Sequence, residues 1–141
     1  MLPQEEVLIR LGLSALIGFL IGFSRRGKAA GIRTFALICL GSAIFTVISI
    51  SGPIGGAINY DPMRVIAQIV AGIGFLGLGV IWKQGVGKPT GLTTAAAIWV
   101  TAGVGVLIGL AMWTEAVVGA LITLAILYSK KPLTKARIEG V

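Results

Sequence analysis

The sequence predicts an all-α membrane protein, a bundle of five transmembrane helices with the N-terminus outside and the C-terminus in the cytoplasm. Three observations predict it. The chain is 56% hydrophobic with a mean hydropathy of +0.98, and it holds five acidic residues among 141, too few charges to cover a water-soluble domain. Several stretches stay apolar over the roughly 17–25 residues that cross a hydrocarbon core about 30 Å thick. Lys and Arg gather in alternate connecting segments, the asymmetry that sets orientation.

The first span runs from Val7 to Phe23, the second from Thr34 to Ile50 and the third from Val65 to Trp82. Leu92 to Ser129 is apolar except for Glu115. As one helix it would be about 57 Å long, so it must fold back and supply two spans. The break is expected within Ala111–Glu115, where Trp113 suits an interface, Thr114 can cap a helix and Glu115 suits a first turn. Arg25, Arg26, Lys28 and Arg33, then Lys83 and Lys88, then Lys130, Lys131, Lys135 and Arg137 fall on one side, read as cytoplasmic. Glu5, Glu6, Asp61 and Glu115 mark the other. Tyr60 and Trp113 fit the outer interface, Trp82 and Tyr128 the inner one. Residues 1–129 thus form the transmembrane domain, and 130–141 a basic cytoplasmic tail too short to fold.

The net charge of +7 is mostly this topology signal, and its dispersal over three short segments argues against a nucleic-acid surface. The first span lacks the basic start and small-residue cleavage site of a signal peptide. The chain has no histidine, and its single cysteine, Cys39, forms no internal disulfide and matches no metal pattern. No metal site and no cofactor are expected.

Gly72, Gly74 and Gly77 spell G-x-G-x-x-G, the spacing of a dinucleotide loop. They sit inside one long apolar run, with no acidic residue about 20 positions on, so the nucleotide reading fails. Small residues instead let helix backbones approach in a bilayer. Gly72 and Gly79 fall on one side of span three, Gly74 and Gly77 near the other, which predicts a central helix approached from both sides. Ser14, Gly18 and Gly22 make a stripe on span one; Thr101, Gly105 and Gly109 make one on span four. Ser42, Thr46 and Ser49 can bond across helices or to their own carbonyls.

Arg10 lies about one turn inside span one, where Glu6 can pair with it. Arg64, Gln68 and Gly72 repeat every four residues, a polar-to-small face expected to point into protein. Arg10, Arg64 and Gln68 together read either as a site near the outer surface or as anchoring plus one interhelical hydrogen bond. Asp61-Pro62 reads as an N-cap followed by proline at the first helical position. Trp99 lies within span four, where its ring is expected to pack in the core.

Taken together, LIGFSRR (Leu20–Arg26), GIRT (Gly31–Thr34), DPMRVIAQIVAGIGFLGLGVI (Asp61–Ile81) and GLTTAAAIWV (Gly91–Val100) resemble the MgtC/SapB family of bacterial inner-membrane proteins. The resemblance implies a multi-pass protein without catalytic activity. For the family's virulence members it implies roles under magnesium limitation and inside host cells, by modulating membrane partners such as the ATP synthase. The functional positions it carries over are Arg25, Gly31, Arg33, Thr34, Asp61, Arg64, Gln68, Gly74, Thr93, Thr94 and Trp99. The family usually has glutamate where this chain has Ser24, and often serine where it has Ala71. Its longer members carry a C-terminal soluble domain that these 141 residues do not contain.

Two functions are therefore expected to compete. One is a regulator, expected to be a homodimer, that docks on another integral membrane protein through small-residue faces; Gly18→Leu or Gly105→Leu would then block capture and leave the bundle folded. The other is a channel or transporter for magnesium or another small solute, built by an oligomer. Mg²⁺ favours carboxylate oxygens, and no acid lies at mid-membrane. A membrane enzyme would have neither histidine nor mid-membrane carboxylate for acid–base chemistry.

Overall fold

The computed structural model describes residues 2–52, 60–82 and 90–138, with side chains as far as Ser129. Lys83 and Lys88, and the side chains of Lys130, Lys131, Lys135 and Arg137, lie outside the described residues. The described chain forms five helices and no strand: α1 (Gln4–Phe23), α2 (Ile32–Ile50), α3 (Pro62–Trp82), α4 (Leu92–Gly109) and α5 (Trp113–Ile138). The first four are long and apolar enough to cross a membrane; the apolar part of α5, Trp113–Ser129, is shorter. The first three helices begin two or three residues before their apolar runs, because polar first-turn residues are helical too. Helix α5 also continues past Ser129 into the basic segment.

Glycines set how these helices meet. A Cβ on Gly18 would lie 2.7 Å from Cys39 Cβ, and one on Gly22 2.7 Å from Ile32 Cα, so α1 runs antiparallel along α2 at close range. A Cβ on Gly105 would overlap the Cys39 carbonyl, and one on Gly109 would lie 2.5 Å from Thr46 Cβ, so α4 runs parallel to α2. Dispersion between closely approached backbones is the main attraction available in lipid. Helix α4 touches every other helix, and Phe35, Ile21, Ile98, Ile108 and Cys39 fill the core around it. Thr46 and Thr101 satisfy their buried hydroxyls on the carbonyls of Ser42 and Ala97, one turn back.

Helix α3 is not central. Among the described residues it packs on α4 and α2 alone, and of its own residues Ile73 and Gly77 are buried. Gly77 meets Ala95, 3.6 Å from where a Cβ would stand, while Gly72, Gly74 and Gly79 have nothing within 4 Å. A helix thinned on two sides can sit between two neighbours or present one thin side outward, and α3 does the second. Trp99 is likewise 54% exposed on the outer surface of α4 rather than packed in the core. The small-residue side of α4, Thr101, Gly105 and Gly109, takes the inner position.

The α4–α5 break falls at Leu110–Met112. Met112 N–H donates to the Leu107 carbonyl (2.9 Å) and Ala111 N–H to that of Ile108 (3.0 Å), closing α4 with Ala111 in the left-handed region at φ 60°. Thr114 lies inside α5 and is not its cap; Glu115 does lie in the first turn. Because neighbours alternate in direction, Glu5, Glu6, Asp61 and Glu115, the described carboxylates, share one end of the bundle. Arg25, Arg26, Lys28 and Arg33 share the other.

Candidate functional site

The acidic end is tied together by polar contacts. Asp61 Oδ1 accepts from Met63 N–H at 2.9 Å, capping α3 ahead of Pro62. Ser49 donates to the Pro62 carbonyl and the Tyr60 hydroxyl to the Ser49 carbonyl, fastening the end of α2 to the start of α3. Arg10 is buried on α1. It donates through Nη2 to Glu6 and through Nη1 to the carbonyl of Gly109, at the last turn of α4. The cation thus sits at the negative end of a helix dipole.

Arg10, Arg64 and Gln68 do not form one site. Helices α1 and α3 do not touch, Arg10 turns toward α4, and Arg64 and Gln68 are exposed. Gln68 instead lines an open groove of about 640 Å³ between α2 and α3, with Gly72, Ile69, Gly41, Ser42 and Phe45. The face carrying Gln68 and Gly72 therefore points out of the chain, not into it. No hydrogen bond satisfies the Gln68 carboxamide among the described residues, and Gly41 has open space around it like Gly72. Gly74, also on α3, adjoins no other helix.

The basic end holds most of the remaining candidates. Arg25 follows Ser24, the C-cap of α1, is 8% exposed and donates through Nη2 to Thr94 Oγ1 in the first turn of α4. Its Nε has no partner. Burial holds this guanidinium below the ordinary arginine pKa, although it stays a cation at neutral pH. Thr93 is half-buried beside Thr94. Gly31 precedes α2, and Arg33 and Thr34 are exposed in its first turn. With Arg26, Gly27 and Ile32 they line an open depression of about 440 Å³. Arg26 stacks over the Phe23 ring at 5.1 Å.

Periodicity identifies which residues share a face but not which helix that face meets. The Arg25–Thr94 and Arg10–Gly109 contacts span 69 and 99 residues and leave no signal in one sequence. By sequence Tyr60 fits an interface and Ser49 a polar stripe; the fold joins the two.

The described residues hold no cluster of acidic, cysteine or histidine side chains able to bind a metal. The family model described as the MgtC family matches residues 11–136, which reach into every helix. The chain is 46% identical over 111 residues to Protein MgtC of Brucella abortus, covering 76% of this chain and 44% of that protein. It is 45% identical over 112 residues to the putative magnesium transporter YhiD of Escherichia coli K12, covering 74% and 51%. It is 38% identical over 112 residues to Protein SapB of Bacillus subtilis, covering 75% and 48%. The chain spans about half the length of these curated relatives. No solved structure matches it. A match that runs through all five helices, with relatives of this identity, shows that the chain belongs to the MgtC family.

Proposed function

We propose that this chain is a non-enzymatic regulator of the bacterial inner membrane that docks on another integral membrane protein through the α2–α3 groove. In this reading α5 is a fifth span, the acidic end faces outside and the basic end faces the cytoplasm, following the distribution of Lys and Arg. One observation carries the reading. Gln68 leaves a donor and an acceptor unpaired on a lipid-facing surface whose neighbours, Gly72 and Gly41, are small enough for another helix to approach. Lipid tails satisfy neither half of a carboxamide, whereas a polar side chain on a partner helix satisfies both. In this reading the partner is a transmembrane helix of a different protein; the resemblance supports a context of magnesium limitation and virulence, with ATP synthase as a candidate partner.

This moves the docking face away from Gly18 and Gly105, which are closed against α2 within the chain. The test is capture of the partner from native membranes by the wild type and by Gln68→Leu and Gly72→Leu. Loss of capture with an unchanged unfolding transition supports the reading; unchanged capture by both variants overturns it.

The second reading, magnesium transport, draws on the Escherichia coli relative, a putative magnesium transporter. The groove offers oxygens only from Gln68, Ser42, Thr34 and backbone, and the described carboxylates all lie at the acidic end. Mg²⁺ sheds its water reluctantly and is usually held by one or two carboxylates. Proteoliposomes holding the purified chain are expected to pass Mg²⁺ no faster than empty ones. Flux that disappears in Gln68→Leu would establish the transporter instead.

A further inference from the structure

The bundle buries two arginines at opposite ends, and their surroundings differ in one decisive respect. Arg10 faces a carboxylate, Glu6, and the carbonyl end of α4. Arg25 faces the amide end of the same helix and has no ion pair among the described residues. A buried cation at the positive end of a helix dipole is unfavourable on both counts. Among the described residues no carboxylate relieves it. The α4 cap is Gly91, at φ 83°, with no side-chain acceptor, and the first turn of α4 holds no acid. Ser24, beside Arg25, donates back to the Ile21 carbonyl and adds no charge. The other described charged side chains at this end, Arg26, Lys28 and Arg33, are all cations.

We propose that the buried guanidinium of Arg25 and the uncapped first turn of α4 form a binding site for a phosphate group. The two features are independent. Gly91 caps the first turn of α4 with no side-chain hydrogen bond, and the N–H groups and dipole of a helix start favour an anion there. An arginine more than nine-tenths buried, with Nε unpartnered and Nη2 aimed at Thr94 in that first turn, supplies the charge. Phosphate suits the set better than a halide because it takes several donors at once: the guanidinium fork, backbone amides and the Thr94 hydroxyl. Such a phosphate could belong to an anionic lipid headgroup at this end of the bundle or to a free ion.

The full chain in neutral detergent distinguishes these sources. Inorganic phosphate is titrated by calorimetry, and retention of added phosphatidylglycerol, against phosphatidylcholine, is counted by native mass spectrometry. Both arms are repeated with Arg25→Gln, Thr94→Val and, as an exposed charge control, Arg33→Gln. Arg25→Gln is expected to weaken binding by about tenfold or more and Thr94→Val by several-fold, with Arg33→Gln closer to wild type. Binding of inorganic phosphate with this pattern assigns a free ion; retention of phosphatidylglycerol alone assigns the headgroup. Protection of Cys39 from alkylation reports that each variant is folded, and Thr94→Val carries the test if Arg25→Gln is not. Binding in neither arm, or equal binding by wild type, Arg25→Gln and Thr94→Val, overturns the site.

Discussion

Arg10, on the first helix, donates to the carbonyl oxygen of Gly109, at the last turn of the fourth. This one contact joins α1 to the helix that touches all the others, and Glu6 holds the guanidinium from its other side. Arg10→Met leaves that carbonyl unsatisfied in an apolar setting and removes a cation from the dipole's negative end. The expected loss is about 2 kcal/mol or more. Glu6 is partly exposed, so Glu6→Gln should cost under about 1 kcal/mol. Equilibrium unfolding in mixed micelles checks both; equal losses would show that the ion pair, not the carbonyl bond, dominates.

The glycines divide into two sets with opposite expectations. Gly105→Ala and Gly109→Ala force a methyl into Cys39 and Thr46 and should destabilise the bundle by roughly 1–3 kcal/mol each. Gly72→Ala, Gly74→Ala and Gly79→Ala meet open space and should lie within about 0.5 kcal/mol of the wild type, or above it, since alanine favours helix. The same unfolding series tests the division, and a large loss at Gly72 or Gly79 would return α3 to the middle of the bundle.

Ala111 is the described non-glycine residue with positive φ. Ala111→Gly should raise stability by up to about 1 kcal/mol by removing a left-handed alanine at the close of α4. A lower unfolding midpoint would argue against that turn.

Cys39 is fully buried between the glycine stripes of α1 and α4. A membrane-permeant maleimide should leave it unmodified in the folded protein and label it on unfolding. Rapid labelling under native conditions would mean that α1 or α4 parts readily from α2.

The sequence carried the elements better than their arrangement. Apolar length and flanking charge located every helix, and Asp61-Pro62 marked the start of α3 because a cap is a local event. The stripes at Ser14–Gly22 and Thr101–Gly109 were legible because small residues four apart define a close-packing face. The position of α3 was not, because glycines on two sides fit a central helix and an outward docking face equally well. Trp99 misled for a related reason: depth along a span can be read from sequence, but a face is fixed only when the neighbouring helix is known. In the candidate site, Arg25 and Thr94 were singled out by resemblance, and their contact across 69 residues came only with the fold.

The docking groove is tested most directly by photo-crosslinking in native membranes, with a benzophenone side chain at position 72 on the groove and at position 103, an open glycine of α4. The account predicts an adduct from position 72, mapped by mass spectrometry to a transmembrane helix of a different protein, competed by the unlabelled wild type and absent from position 103. Adducts from position 72 confined to lipid or to a second copy of this chain would contradict it.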